Sequence, residues 1–127
     1  MVRVVLDASA LLAALAGEPG AAIVEKHLEH ASMSAVNLSE VVAVLSRRGV
    51  PADRVREALE PLDLDLHPFD ATDAWSSGEL ARVTKNAGLS LGDRACLALG
   101  KRLARPVVTA DRSWRDLKAG VKVIVIR

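Results

Sequence analysis

The sequence predicts an α/β domain with a mainly parallel central sheet covered by helices on both faces. Two observations carry this. Short apolar runs rich in β-branched residues recur along the chain, and helical segments separate consecutive runs, so the strands are joined by crossovers. The 127 residues hold no repeat, linker or low-complexity tract, and this length suits one hydrophobic core. Residues 1–127 are read as a single domain.

Val2–Leu6 is the first strand, and ASALLAALA (Ala8–Ala16) is a strong helix former. Gly17-Glu18-Pro19-Gly20 breaks that helix. A second helix is expected to carry Ala21, Val24, Leu28 and Ala31 on one face. Ser32–Val36 is a weak strand, followed by a helix with Leu38, Val41, Val42 and Leu45 at i, i+3, i+4 and i+7. Gly49 ends it, and Pro51 starts another that repeats the spacing at Val55, Ala58, Leu59 and Leu62. Leu64–Phe69 is the third strand. Asp70-Ala71-Thr72-Asp73 resembles a capping arrangement for a helix reaching to about Asn86, with Gly88 as its stop. A helix over Leu91–Leu103 precedes the last two strands, Pro106–Ala110 and Lys122–Ile126, which flank a short helix around Ser113–Lys118.

Composition excludes several functions. No apolar run approaches the length that spans a bilayer. The start, Met1-Val2-Arg3-Val4-Val5-Leu6, meets an acid at Asp7 and lacks the pattern of a secretory leader. The single cysteine, Cys96, cannot form an internal disulfide, which fits a reducing cytoplasm; it lies in an apolar helical stretch and reads as a small core residue. A net charge of +1 presents no broad basic field. One phenylalanine, two tryptophans and no tyrosine argue against a base-stacking platform.

The chemistry lies in the acids. In an open parallel sheet, ligands bind beyond the carboxyl ends of the strands. Asp7 closes the first strand, Asp111 closes the fourth in Val107–Trp114 (VVTADRSW), and Glu40 follows the second in Asn37-Leu38-Ser39-Glu40. Asp93, in Ser90-Leu91-Gly92-Asp93, opens a helix after a loop, so spacing alone does not group it with the others. Each acid also has a purely structural reading. Asp7 and Asp111 suit helix N-caps; Glu40 sits at N3 if Asn37 is the cap, as Asp93 does after Ser90. On a helical wheel Glu40 points away from the Leu38/Val41/Leu45 stripe. Carboxylates gathered at one edge repel one another unless a cation is present. Oxygen-only ligands suit Mg²⁺ or Mn²⁺, which can hold a phosphate and activate a water. Capping and coordination are compatible, because a carboxylate has two oxygens.

The segments VVLDASALLA, NLSEVVAVL, LSLGDRACLALG and VVTADRSW together resemble PIN-domain ribonucleases, and most of all the VapC-type toxins of toxin–antitoxin pairs. The resemblance covers essentially the whole chain, with the acids in the family's order. It implies a three-layer α/β/α fold and cleavage of RNA by an acidic Mg²⁺ or Mn²⁺ site. It also implies that Asp7, Glu40, Asp93 and Asp111 form the acidic quartet, and it is the family that puts Asp93 in it. Asp7, Asp93 and Asp111 would hold the metal, and Glu40 would bind a second metal or orient the attacking water. Ser9 and Thr109 match family hydroxyl positions near the metal; local backbone bonding is the competing reading. A VapB-like cognate antitoxin and a homodimer are the partners it implies, with no membrane.

Arg94 and Arg112 each follow a quartet acid. They are candidate RNA-phosphate or antitoxin contacts, against a default of pairing with nearby acids. Arg47-Arg48 and Lys101-Arg102 read as solvated helix ends, and His27 and His30 as exposed histidines without further ligands. A receiver-like phosphotransfer domain would need an acid pair at the first strand and a late lysine, and Asp7 stands alone. A haloacid-dehalogenase-like phosphatase would need an acid where Ser9 stands. A non-catalytic interaction module is the remaining alternative, which a metal-dependent RNA cleavage assay separates.

Overall fold

The structure, a computed structural model, describes residues 2–127. Five short strands, β1 (Val4–Leu6), β2 (Ala31–Ser34), β3 (Asp65–His67), β4 (Val107–Thr109) and β5 (Val123–Val125), form one sheet in the order β3-β2-β1-β4-β5. Every pairing is parallel. The expectation of a parallel sheet with helical crossovers therefore holds. The order also separates the fold from a receiver, whose sheet runs 2-1-3-4-5.

Alternation along the central strands builds two cores. Val4, Leu6, Met33 and Val108 face α1 (Ala8–Ala16), α2 (Ala21–Glu25) and α3 (Ala35–Arg47), where Leu11, Val24 and Val41 are buried. Val5 and Val107 face α5 (Ala71–Val83) and α6 (Leu91–Leu103), packing with Leu80, Cys96, Leu97, Leu99 and Trp114. The result is a three-layer α/β/α arrangement in which β1 is buried throughout, as a strand covered on both faces must be. α4 (Ala52–Leu59) lies against α3. The two bound an apolar cleft of about 510 Å³, lined by Leu38, Val42, Val55, Leu59 and Leu66 among others, that none of the quartet acids enters. Among the described residues, no helix is long and apolar enough to cross a membrane.

Several boundaries differ from the sequence reading. The second helix ends at Glu25; Leu28 falls in a 3₁₀ turn (Leu28–His30), and Ala31 opens β2 instead of continuing the helical face. Burial drives this, since Ala31–Ser34 is inaccessible and pairs with strands on both sides. β2 stops at Ser34, whose hydroxyl accepts from Val36 N, so Val36 is helical and the cap of α3 is Ser34 rather than Asn37. His27 and His30 sit around the 3₁₀ turn, half-buried rather than exposed. Leu62 and the segment after Trp114 also leave the regular helices: Glu60–Leu62 and Arg112–Trp114 are single 3₁₀ turns. α5 stops at Val83, and a further 3₁₀ turn ends at Gly88, whose φ of 63° is the left-handed stop expected there. Two of the three anticipated capping boxes form, Asp70 with Asp73 and Ser90 with Asp93; the third, Asn37 with Glu40, does not, because Asn37 lies within α3. α6 closes on Ala104 with φ 54°, a left-handed residue that carries a Cβ.

Candidate active site

Asp7 is the centre of the acidic edge, 4% exposed. It leaves β1 and caps α1, with Oδ1 accepting from Ala10 N and from Ser9 Oγ, each at 2.8 Å. Its Oδ2 accepts from Thr109 Oγ1 at 2.5 Å, across from β4. Ser9 Oγ in turn accepts from Ala110 N at 2.9 Å, and Asp111 N donates to Thr109 Oγ1 at 3.1 Å. One continuous hydrogen-bonded set thus joins Asp7, Ser9, Thr109 and the backbone at Asp111. It lies where β1 and β4 are neighbours and the connections leave in opposite directions along the sheet, the switch point at which such sheets bind ligands.

The other three acids arrive from separate elements. Asp111 caps the 3₁₀ turn after β4, its Oδ1 accepting from Ser113 N (2.9 Å) and Ser113 Oγ (2.7 Å). Asp93 closes the capping box of α6 through Oδ2, which accepts from Ser90 N at 2.9 Å. Glu40 projects from α3, and its Oε1 accepts from Asn37 Nδ2 at 2.8 Å. The same amide nitrogen donates to Gly92 O at 3.0 Å, which locks α3 to the first turn of α6. A Cβ on Gly92 would collide with the Glu40 carboxylate, so the acid lies directly on the turn that carries Asp93.

Charge links three of the acids, Asp7, Asp93 and Glu40. Burial is the main cause that pushes the Asp7 carboxyl up to about 6; hydrogen bonds from Thr109, Ala10 and Ser9 oppose it, and the negative charge of Asp93 adds to it. Beneath the edge, the buried Cys96 thiol is held well above its ordinary range, first by burial and then by the charges of Asp7, Asp93 and Glu40. Cys96 is therefore a protonated core residue, as its apolar surroundings suggested.

The two arginines are turned aside from the acids. Arg94 Nη1 donates to Ser77 O on α5 at 3.2 Å, and Arg112 Nε donates to Arg127 O at 2.9 Å. Neither pairs with a carboxylate among the described residues. Two residues of the site escape a reading by composition. Asn37 was the candidate cap of α3 but is buried inside it, holding Glu40. Gly92 gave a usable signal, because a glycine in the first helical turn costs stability unless something must approach its backbone.

Among the described residues, no three His, Cys, Asp or Glu side chains close on one point as a ready-made metal site. Each acid instead rests on donors from its own helix start, which relieves mutual repulsion. The set still suits a hard divalent cation. Among the described residues, no donor reaches Asp93 Oδ1, Asp111 Oδ2 or Glu40 Oε2, and an all-oxygen set around a buried carboxylate is what Mg²⁺ or Mn²⁺ binds.

The fold is an α/β/α domain whose 3-2-1-4-5 sheet carries Asp7, Glu40 and Asp111 after the carboxyl ends of three of its strands, with Asp93 at the start of α6. The PIN domain family profile matches residues 4–120, and the chain belongs to that family, in which nuclease activity is typical. No curated protein sequence matches it. Its fold is that of a toxin–antitoxin complex chain from Klebsiella pneumoniae (17% identity, 98% of each chain covered, TM-score 0.75). A chain of DNA-bound VapBC from Salmonella typhimurium is similar over 100% of both chains (14% identity, TM-score 0.75). A chain of a VapBC-family toxin–antitoxin system from Mycobacterium tuberculosis is 24% identical, with 100% of this chain and 99% of that one covered and a TM-score of 0.65.

Proposed function

We propose that this protein is a metal-dependent endoribonuclease and the toxin of a toxin–antitoxin pair. The observation that carries the reading is the buried Asp7, clamped by Ser9 and Thr109 at the switch point, with Asp93 close enough to raise its pKa. Asp7, Asp93 and Asp111 would hold Mg²⁺ or Mn²⁺. When bound, that ion supplies charge neutralisation for the phosphate and a lowered pKa for water. Ser9 and Thr109 spend their hydroxyls on Asp7, keeping it ionised and aimed. Glu40, held by Asn37, orients the attacking water and accepts its proton through the carboxylate that rests on Gly92. Arg94 and Arg112, which follow Asp93 and Asp111 in the chain, are assigned to RNA phosphate, exchanging their present carbonyl partners for it.

The toxin reading is supported by the similar chains, which come from toxin–antitoxin complexes. A VapB-like antitoxin tail that folds on binding would cover the acids, with an arginine among the carboxylates, and the toxin would act as a homodimer in the cytoplasm. The purified protein is expected to cut RNA in Mg²⁺ or Mn²⁺ and to stop when a chelator is added. Cleavage that persists in excess chelator, leaving a cyclic phosphate, overturns the assignment. Co-expression with the adjacent gene tests the partner: no complex, and no growth arrest from this chain alone, would favour a non-catalytic module.

A further inference from the structure

The carboxyl edge does not end at the acids. β2 and β3 are neighbours with Ser34 paired to His67, so the residues that follow them emerge side by side. Those residues are the start of α3 on one strand and Phe69 on the other. Together they line a shallow, open basin of about 560 Å³, formed by Ala35, Val36, Ser39, Glu40, Ala43 and Phe69. Glu40 is a wall of this basin and a member of the acidic set. The strand order β4, β1, β2, β3 therefore sets Asp111, Asp7, Glu40 and Phe69 in sequence along one edge.

The chemistry of the basin is unlike that of the acids. Its wall is one half-buried aromatic ring beside two alanines and a valine, with Ser39 and Glu40 at the polar side. No lysine or arginine lines it, so it is no seat for a phosphate. The chain has one phenylalanine. Of the other aromatics, Trp114 is fully buried, and the exposed Trp75 lines a separate shallow surface with Ala74, Gly78 and Glu79 that no quartet acid shares. Phe69 is thus the aromatic that shares a concavity with a candidate catalytic acid.

The geometry points to a nucleobase subsite: the ring of Phe69 stacks the base of a nucleotide flanking the bond that is cut, in single-stranded RNA. This rests on the ribonuclease reading and adds a base-stacking residue to it. A phosphate at the acids leaves its neighbouring nucleotide within the adjoining basin, and a base can lie on a ring only when it is free of its own stack. Ser39 is placed to meet the polar rim of that base. A duplex, whose bases are stacked and paired, gains nothing from the basin.

The test uses the full chain and a single-stranded RNA oligonucleotide whose cut position has been mapped with the wild type in Mg²⁺. Phe69→Ala is expected to lower kcat/KM by roughly 10- to 100-fold, the range that base–aromatic stacking supplies, with a modest fall in melting temperature from the lost apolar packing. Phe69→Trp should retain activity. An abasic ribose at one flanking position should slow the wild type by a similar factor and leave Phe69→Ala unaffected. Normal cleavage by Phe69→Ala overturns the subsite, as does an abasic penalty equal in both proteins. Should Phe69→Ala fail to fold, Phe69→Leu keeps the apolar volume without the ring and is expected to lose the dependence on the flanking base; retaining it overturns the proposal. Loss of antitoxin capture with cleavage intact would instead give the basin to the protein partner. A wild type that cuts no RNA in either metal would refute the ribonuclease reading itself, a result distinct from all of these.

Discussion

Asp7 makes the metal-free protein sensitive to pH in an uncommon direction for an acid. Its folded pKa of about 6 lies above the ordinary carboxylate value, so the folded state binds more protons than the unfolded one. The stability it contributes is complete below about pH 4 and is lost as pH rises through 6. The full difference is bounded at about 3 kcal/mol. Urea melts of metal-free protein from pH 4.5 to 7.5, run with Asp7→Asn as control, should show the decline only in the wild type. Mg²⁺ should remove most of it. Asp111 gives a complementary test. Asparagine caps as well as aspartate, so Asp111→Asn should leave metal-free stability equal or higher. Metal at 100 times its Kd should stabilise the wild type by about 2.7 kcal/mol and the variant far less; equal melting shifts with cleavage intact would make Asp111 a cap alone. Gly92→Ala is informative because propensity and site disagree. A helical alanine normally adds about 1 kcal/mol, but here its Cβ meets the Glu40 carboxylate. Cleavage should fall by roughly 100-fold, as displacement of a reacting group predicts, without the usual gain in melting temperature.

At the scale of elements, caps made much of the fold legible. Ser90 and Asp93 mark the start of α6, and Asp70 and Asp73 that of α5. The residues around β2 were harder to read. Leu28 and Ala31 continue the apolar spacing of α2, and both Ser34 and Asn37 are good caps, so local signals support two answers. Pairing of β2 with both β1 and β3 selects Ser34, and that information is tertiary. Asn37, freed from capping, becomes the link between Glu40 and α6. The C-terminus of α6 offers a further prediction. Ala104 holds a left-handed conformation while its N–H donates to Gly100 O and Lys101 O. Ala104→Gly should stabilise the protein by about 1 kcal/mol, read as a higher urea midpoint with an unchanged slope. No gain would mean that the Cβ makes packing contacts worth as much as the strain.

For the whole molecule, the sequence placed Asp7, Glu40 and Asp111 at one edge because each closely follows a strand. Grouping Asp93 with them needed the family resemblance, and its contact with Asp7's field depends on α6 packing across the sheet. The directions of Arg94 and Arg112, and the meeting of Phe69 with Glu40, follow from which elements are neighbours, which no local pattern encodes.

The bond from Thr109 to Asp7 spans 102 residues of chain. During translation the first acid leaves the ribosome roughly 5–20 s before the last, at ordinary elongation rates. Through that interval β1 has no β4 beside it, and Asp7 lacks one of its clamps. The clamped acid is therefore absent from any chain that stops before β4, and the acidic edge is assembled only when synthesis is nearly over.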